Sequence, residues 1–227
     1  MVNVELGSFF QAPGPTALTV NDLMFESLDN LPIQILNLTS DDLHVWDRLS
    51  SANLQHTQIV STNLLPPASS RAALRPYRIV AGPAGARIAI LGLADPASVK
   101  PRSGFRALSA TEAIDKVYEE LKEQADFWIV LGDIPPQKAE ELADRYSEIY
   151  GILLMQRQYR LLRPWQVNNA VICESVERGR YLGQLTLHFD DKGEMIAYEP
   201  RQIQLSADVP EDPALLEAME RTRSRLR

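Results

Sequence analysis

Two short runs, Phe127 to Leu131 and Ile152 to Met155, are apolar at every position, and each follows a stretch with helical spacing. A strand that is apolar on both sides has to be covered on both faces, which only the centre of a layered sheet provides. The two runs therefore predict neighbouring parallel strands inside an α/β domain. The helices that lead into them are also legible. Ser109 with Glu112 forms a capping-box pattern opening a helix to about Ala125, with Ile114, Val117, Tyr118 and Leu121 facing inward, and Pro136 to Tyr146 reads as the second helix.

Toward the amino terminus, apolar spacing predicts a helix over Asp22 to Leu31, stopped by Pro32 and followed by a strand over Ile33 to Leu36. Ser40, with Asp41 and Asp42 behind it, is placed to cap a helix burying Leu43, Trp46, Leu49 and Ala52, with a short strand near Gln58 to Ser61. Tyr77 to Ala81 and Ala86 to Leu93 read as an antiparallel hairpin. Ala170 to Cys173, Tyr181 to Phe189 and Glu194 to Leu205 read as a closing meander. The expected organisation is one domain over residues 1–207 and a charged helix within 208–227, with Leu215, Leu216 and Met219 free to dock.

At 227 residues and 45% apolar content the chain can bury one substantial core, and its net charge of -7 disfavours attraction to a phosphate backbone. Nucleic acid is therefore not an expected partner. No run approaches the length of a membrane span, and Met1 to Phe10 lacks the pattern of an export signal, so a soluble chain is expected. The single cysteine, Cys173, lies in an apolar run and reads as a small buried hydrophobe; with one cysteine, an internal disulfide is excluded.

In an α/β domain the chemistry sits at the carboxyl ends of the strands. Asp133, directly after a central strand, is the clearest carboxylate there, as metal ligand, general base or simple turn residue. Asp41 and Asp42 are further candidates, although acidic residues are favoured in a first helical turn by the helix dipole alone. His44 flanks an apolar stripe, His56 lies between elements, and His188 sits on the polar face of a strand. No two share the spacing of a metal site.

Beyond these elements, Val60-Ser61-Thr62-Asn63-Leu64, Pro76-Tyr77-Arg78-Ile79, Ala86-Arg87-Ile88-Ala89-Ile90-Leu91-Gly92-Leu93 and Phe127-Trp128-Ile129-Val130-Leu131 resemble, in order and spacing, the metallophosphatase domain of the 5′-nucleotidase family. Gly179-Arg180-Tyr181-Leu182-Gly183-Gln184-Leu185 and Phe189-Asp190-Asp191-Lys192-Gly193 resemble its closing strands. The resemblance covers most of residues 3–205. It implies a calcineurin-like phosphoesterase fold, an α/β sandwich of two packed mixed sheets flanked by helices, in a family of mostly extracytoplasmic nucleotide phosphatases.

The same resemblance implies where metal ligands belong, and those positions are changed. The family's first strand ends in Asp-x-His, and this chain begins after it. The Gly-Asp motif is matched by Gly7-Ser8, and Gly-Asn-His-Glu/Asp by Asn37-Leu38-Thr39-Ser40. The histidine after the central strand is Asp133, and Gly-His-x-His is matched by Met155-Gln156-Arg157-Gln158. Paired divalent ions need anionic and imidazole ligands to offset their repulsion, whereas hydroxyls and amides are neutral oxygen donors.

The leading expectation is a degenerate phosphoesterase domain acting as a binding or scaffolding module for a protein or a small polar ligand, without a cofactor. Asn63 and Arg157 are candidate ligand contacts beside Asn37, Thr39, Gln156 and Gln158. The rival is a phosphoester hydrolase with one divalent metal on Asp42 and Asp133, aided by Gln156. A third reading takes the chain as a fragment lacking its first strand.

Overall fold

The computed structural model describes residues 1–70, 74–155, 163–175 and 180–226. The buried strands stand where their composition requires. β1 (Val4–Glu5), β2 (Ile35–Asn37) and β3 (Gln58–Val60) form a small sheet in that order, all parallel. Two further short strands, β4 (Leu64–Leu65) and β7 (Arg106–Ala107), pair with each other antiparallel. A larger mixed sheet holds the rest of the buried strands. Its interior strands β6 (Arg87–Leu93), β8 (Phe127–Gly132), β9 (Ile149–Met155) and β11 (Ala170–Ser175) are parallel. Its edges β5 (Tyr77–Ala81) and β10 (Trp165–Val167) are antiparallel to their neighbours, and the order across it is β10-β11-β9-β8-β6-β5.

The two sheets pack face to face through Ile35, Val60, Ile90 and Leu131, with Val2, Val4, Leu6, Ile129 and Leu153 around them. Helices close both outer faces. α1 (Ala17–Asn30) and α2 (Trp46–Ser51), the latter continuing a 3-10 turn over Ser40–Val45, bury Phe25, Leu28, Leu43, Trp46 and Leu49 with Leu36 and Leu38. α3 (Ala110–Gln124) and α4 (Pro136–Arg145) cover the larger sheet with Ile114, Leu121, Ala139 and Leu142 packed on Leu91, Trp128, Val130 and Ile152. The expected α/β sandwich is thus present, with helices outside and two sheets inside.

Several local expectations hold in detail. Both halves of the Ser109/Glu112 capping box are made, and Tyr77–Ala81 pairs antiparallel with Arg87–Leu93. Cys173, expected buried, is only half-buried, and desolvation pushes its thiol up to about 11.

Others are corrected. α1 begins at Ala17, five residues before Asp22, because Asn21 anchors it by exchanging hydrogen bonds of 2.8 and 3.0 Å with the Gln11 backbone while Leu18 points outward. Ser40 does not cap its helix. It is the first residue of the 3-10 turn, and the hydroxyl before it, on Thr39, bonds Asp42 instead.

The closing strands are not a meander. Ala170, Val171 and Ile172 are fully buried, so β11 enters the larger sheet, while β12 (Tyr181–Phe189) and β13 (Met195–Gln204) form a separate antiparallel ribbon with only one face covered. α5 (Pro213–Arg225) packs on α1, with Arg221 bridging Glu26 at 2.6 Å. Its most buried residue is Ala218, and Met219 is exposed.

Candidate functional site

The carboxyl ends of β1, β2, β6 and β8 meet at one edge of the sandwich. After β1 the chain turns sharply at Gly7, with φ +111°, and Ser8, with φ +53°. The turn passes against Thr39 so closely that a Cβ on Gly7 would lie 2.1 Å from Thr39 Cγ2, so only glycine fits. Asp42 then closes the turn. Its Oδ2 accepts from the Ser8 amide at 2.8 Å and the Thr39 hydroxyl at 2.9 Å, and its Oδ1 accepts from the Phe10 amide at 3.0 Å. Ser8 donates its hydroxyl to Asp41 at 2.8 Å. The sequence singled out Ser8, Thr39, Asp41 and Asp42, and the fold joins them in one network.

Asn37, at the end of β2, ties the two sheets together. It has no exposed surface, and its Nδ2 donates to the carbonyls of Leu6 at 3.0 Å and Leu93 at 3.1 Å, with Leu131 O at 3.4 Å. A ring of carbonyls forces the nitrogen inward. Among the described residues Oδ1 has no hydrogen-bond partner, and it rests against Gly92, where a Cβ would be 2.4 Å away. The Leu93 carbonyl also accepts from the backbone amide of Asp133 at 2.9 Å, so Asn37 and Asp133 share an anchor. Asp133 itself is only 4% exposed.

The remaining predicted positions divide clearly. Leu38 is fully buried in the core under α1 and α2. Asn63 is also fully buried and gives its groups to the main chain: Nδ2 to Ala94 O at 2.7 Å and Leu108 O at 3.2 Å, Oδ1 from Ala94 N at 2.9 Å. Asn37, Thr39 and Asn63 therefore brace the strand ends and offer no surface to an open pocket. Gln156, Arg157 and Gln158 lie outside the described residues. The histidines stay apart, with His44 between the Asp41 and Gln11 carbonyls and His188 3.4 Å from Glu199.

One site residue was missed. Glu5 carries a carboxyl raised to about 7, chiefly by desolvation, with the charge of nearby Asp42 adding to it. The alternation Val2, Val4, Leu6 ahead of Gly7 was the available signal for β1 and for Glu5 on its opposite face. Burial also raises Asp42, while hydrogen bonds from Phe10, Thr39 and Ser8 act against that.

The consequence for stability has a definite sign. Between about pH 4.5 and 7 the unfolded chain ionises Glu5 while the folded chain keeps it protonated, so stability falls as pH rises through that window. Glu5→Gln is expected to flatten this segment of a pH-stability profile measured by urea unfolding, and to be the more stable form above pH 7.

No family model matches the chain, and no curated protein does. Solved structures do match. A 5′-nucleotidase precursor from Thermus thermophilus superposes with TM-score 0.77 at 21% identity, over 99% of this chain and 49% of that one. A sulfate thiohydrolase from the same organism gives 0.81 at 20%, over 99% and 42%. This chain has the metallophosphoesterase-domain fold. The NAD nucleotidase of Haemophilus influenzae adds a third match, TM-score 0.76 at 15% identity, over 99% of this chain and 51% of that one. The chain thus spans about half the length of these structures.

Among the described residues, the donors at these strand ends do not fit a two-metal centre. Asp42 spends both carboxylate oxygens on backbone amides and a hydroxyl. Asn37 presents its amide nitrogen, not its oxygen, to the surrounding carbonyls. Among the described residues no group of three or more His, Cys, Asp or Glu is arranged to hold a metal. Likewise, no helix among them is long and apolar enough to cross a membrane.

Proposed function

We propose that this domain uses a metallophosphoesterase-type scaffold for binding or scaffolding, toward a protein or a small polar ligand, and does not hydrolyse phosphoesters through paired metal ions. The observation that carries the reading is that three hydrogen bonds already engage both oxygens of the Asp42 carboxylate. A ligand for a hard cation needs lone pairs directed at the ion, and here they are directed at Ser8, Phe10 and Thr39. Neutral side chains at Ser8 and Thr39 add no charge to offset a pair of cations.

The test is hydrolysis of bis(p-nitrophenyl) phosphate and of a nucleoside monophosphate with manganese or zinc added. The expected result is no rate above that of the metal alone. A metal-dependent rate abolished by Asp133→Ala would overturn the reading. The competing reading, one cation at Asp133, draws on the burial of that residue directly after a central strand, its backbone amide bonded to the Leu93 carbonyl. It requires one ion per chain in protein purified without chelator.

A further inference from the structure

Charge is spread unevenly along this chain. Residues 1–47 hold seven acidic residues and no lysine or arginine, whereas residues 48–111 hold eight lysines and arginines and a single acidic residue, Asp95. A chain of net charge -7 thus contains a strongly cationic middle stretch. Part of that charge is matched internally. Arg48 pairs with Asp22 at 2.6 Å, Arg87 pairs with Asp126 at 2.8 Å, and Arg78 donates to the Gln34 carbonyl at 3.3 Å. Lys100, Arg102 and Arg106 are different: all three are exposed, and among the described residues none forms an ion pair. Asp95, the one carboxylate of their loop, accepts from the Ala97 amide at 3.0 Å and the Ser98 hydroxyl at 2.8 Å.

The loop that carries these cations, between β6 and α3, is pinned along its length. Asn63 Nδ2 clamps its two ends, donating to the Ala94 carbonyl at 2.7 Å and the Leu108 carbonyl at 3.2 Å. In its middle, Pro101–Ser103 form a 3-10 turn, where the Ser103 hydroxyl donates to the Lys100 carbonyl at 2.7 Å and accepts from the Phe105 amide at 3.2 Å. Phe105 is buried edge-on against the Trp46 ring, with centroids 5.7 Å apart, and Arg106 stands in β7 opposite Leu65 of β4. The three cations therefore rise from a fixed backbone, so a ligand has only their side chains to order.

Guanidinium groups pair bidentately with carboxylates and phosphates alike, so the extent of the partner decides between them. The elements beside the loop are acidic: α2 and the turn before it carry the exposed Asp47 and Asp41, and α3 carries Glu112 in its first turn. A nucleic acid or an anionic membrane would run past the loop and meet those carboxylates within a Debye length, about 10 Å at 0.1 M salt. A short segment would not. We propose that Lys100, Arg102 and Arg106 bind a short acidic segment of a partner protein, with three or more aspartates or glutamates within about seven residues. This names a partner chemistry for the binding role proposed above, and rests on that role.

The probe is a fluorescein-labelled eight-residue peptide of alternating aspartate and glutamate, with an asparagine and glutamine peptide of equal length as its control. Anisotropy with the full chain is expected to show saturable binding of the acidic peptide alone, weakened about tenfold or more between roughly 20 and 200 mM salt. Replacing Lys100, Arg102 and Arg106 together by glutamine is expected to weaken it about tenfold or more, with thermal unfolding unchanged. Removing the same charge elsewhere, by glutamine at the exposed Arg180, Arg223 and Arg225, is expected to change it less than about twofold. No saturation by about 1 mM peptide, or an equal loss in the two triple variants, overturns the proposal. So does tighter binding of a single-stranded DNA or of phosphatidylserine vesicles that the loop variant abolishes. The hydrolysis assay separates the two claims: a metal-dependent rate with peptide binding intact removes the non-hydrolytic reading and keeps this site, whereas absent peptide binding without hydrolysis removes this site alone.

Discussion

Asp42→Ala is expected to lower the unfolding free energy by about 3 kcal/mol. The substitution leaves the Phe10 amide without its acceptor, deprives the buried Thr39 hydroxyl of its own, and leaves the Ser8 amide with only the Thr39 oxygen. Hydrogen bonds to a charged group contribute roughly 1.5–3 kcal/mol each, and a stranded buried donor costs about 1–3, although turn relaxation and water recover part of the sum. Asp42→Asn is expected to lose less, about 1–2 kcal/mol, since one oxygen remains while its amide nitrogen faces a backbone donor. Urea unfolding followed by circular dichroism reads both values, with the m-value unchanged. A loss below about 1 kcal/mol for alanine would mean that the carboxylate is not committed to the turn.

Gly7→Ala is the second large effect, expected at about 3–5 kcal/mol. The backbone at φ +111° disfavours any side chain, by roughly 1–3 kcal/mol, and the new methyl would sit 2.1 Å from Thr39 Cγ2, an overlap that costs about 1–3 more. Thr39→Ser removes the offending methyl while keeping the hydroxyl that accepts from Ser8 at 3.0 Å. The double variant is therefore expected to regain about 1–2 kcal/mol relative to Gly7→Ala alone. Simple additivity in the same unfolding measurement would place the strain elsewhere.

Elements whose pattern follows directly from covering were legible in the sequence. β8 and β9 are apolar throughout because helices cover one face and the opposite layer the other, and α3 announces itself through the Ser109/Glu112 box. β1 was only faintly legible, through the alternation of Val2, Val4 and Leu6, since its regular pairing extends only over Val4–Glu5 and its role comes from pairing with a distant β2. The closing strands were recognised individually, but which of them joins the larger sheet depends on partners remote in sequence.

The candidate site divides in the same way. Residue types at Ser8, Asn37, Thr39 and Asp133 could be read as departures from a metal-binding pattern. The direction of their bonds could not. That Asn37 turns its nitrogen to Leu6 and Leu93, or that Asp42 closes the Ser8–Phe10 turn, follows from contacts over separations of 31 to 56 residues in sequence. Local spacing explains acidic residues near a helix start equally well by the dipole, so Asp42 gave no sign of its tertiary role.

The central claim concerns charge and lone pairs at the strand ends, and anomalous diffraction from crystals grown in manganese reads it directly. The account predicts no pair of well-occupied peaks near Ser8, Thr39, Asp42 and Asp133. Two peaks about 3.5–4 Å apart there, the spacing of a binuclear hydrolytic centre, would contradict it.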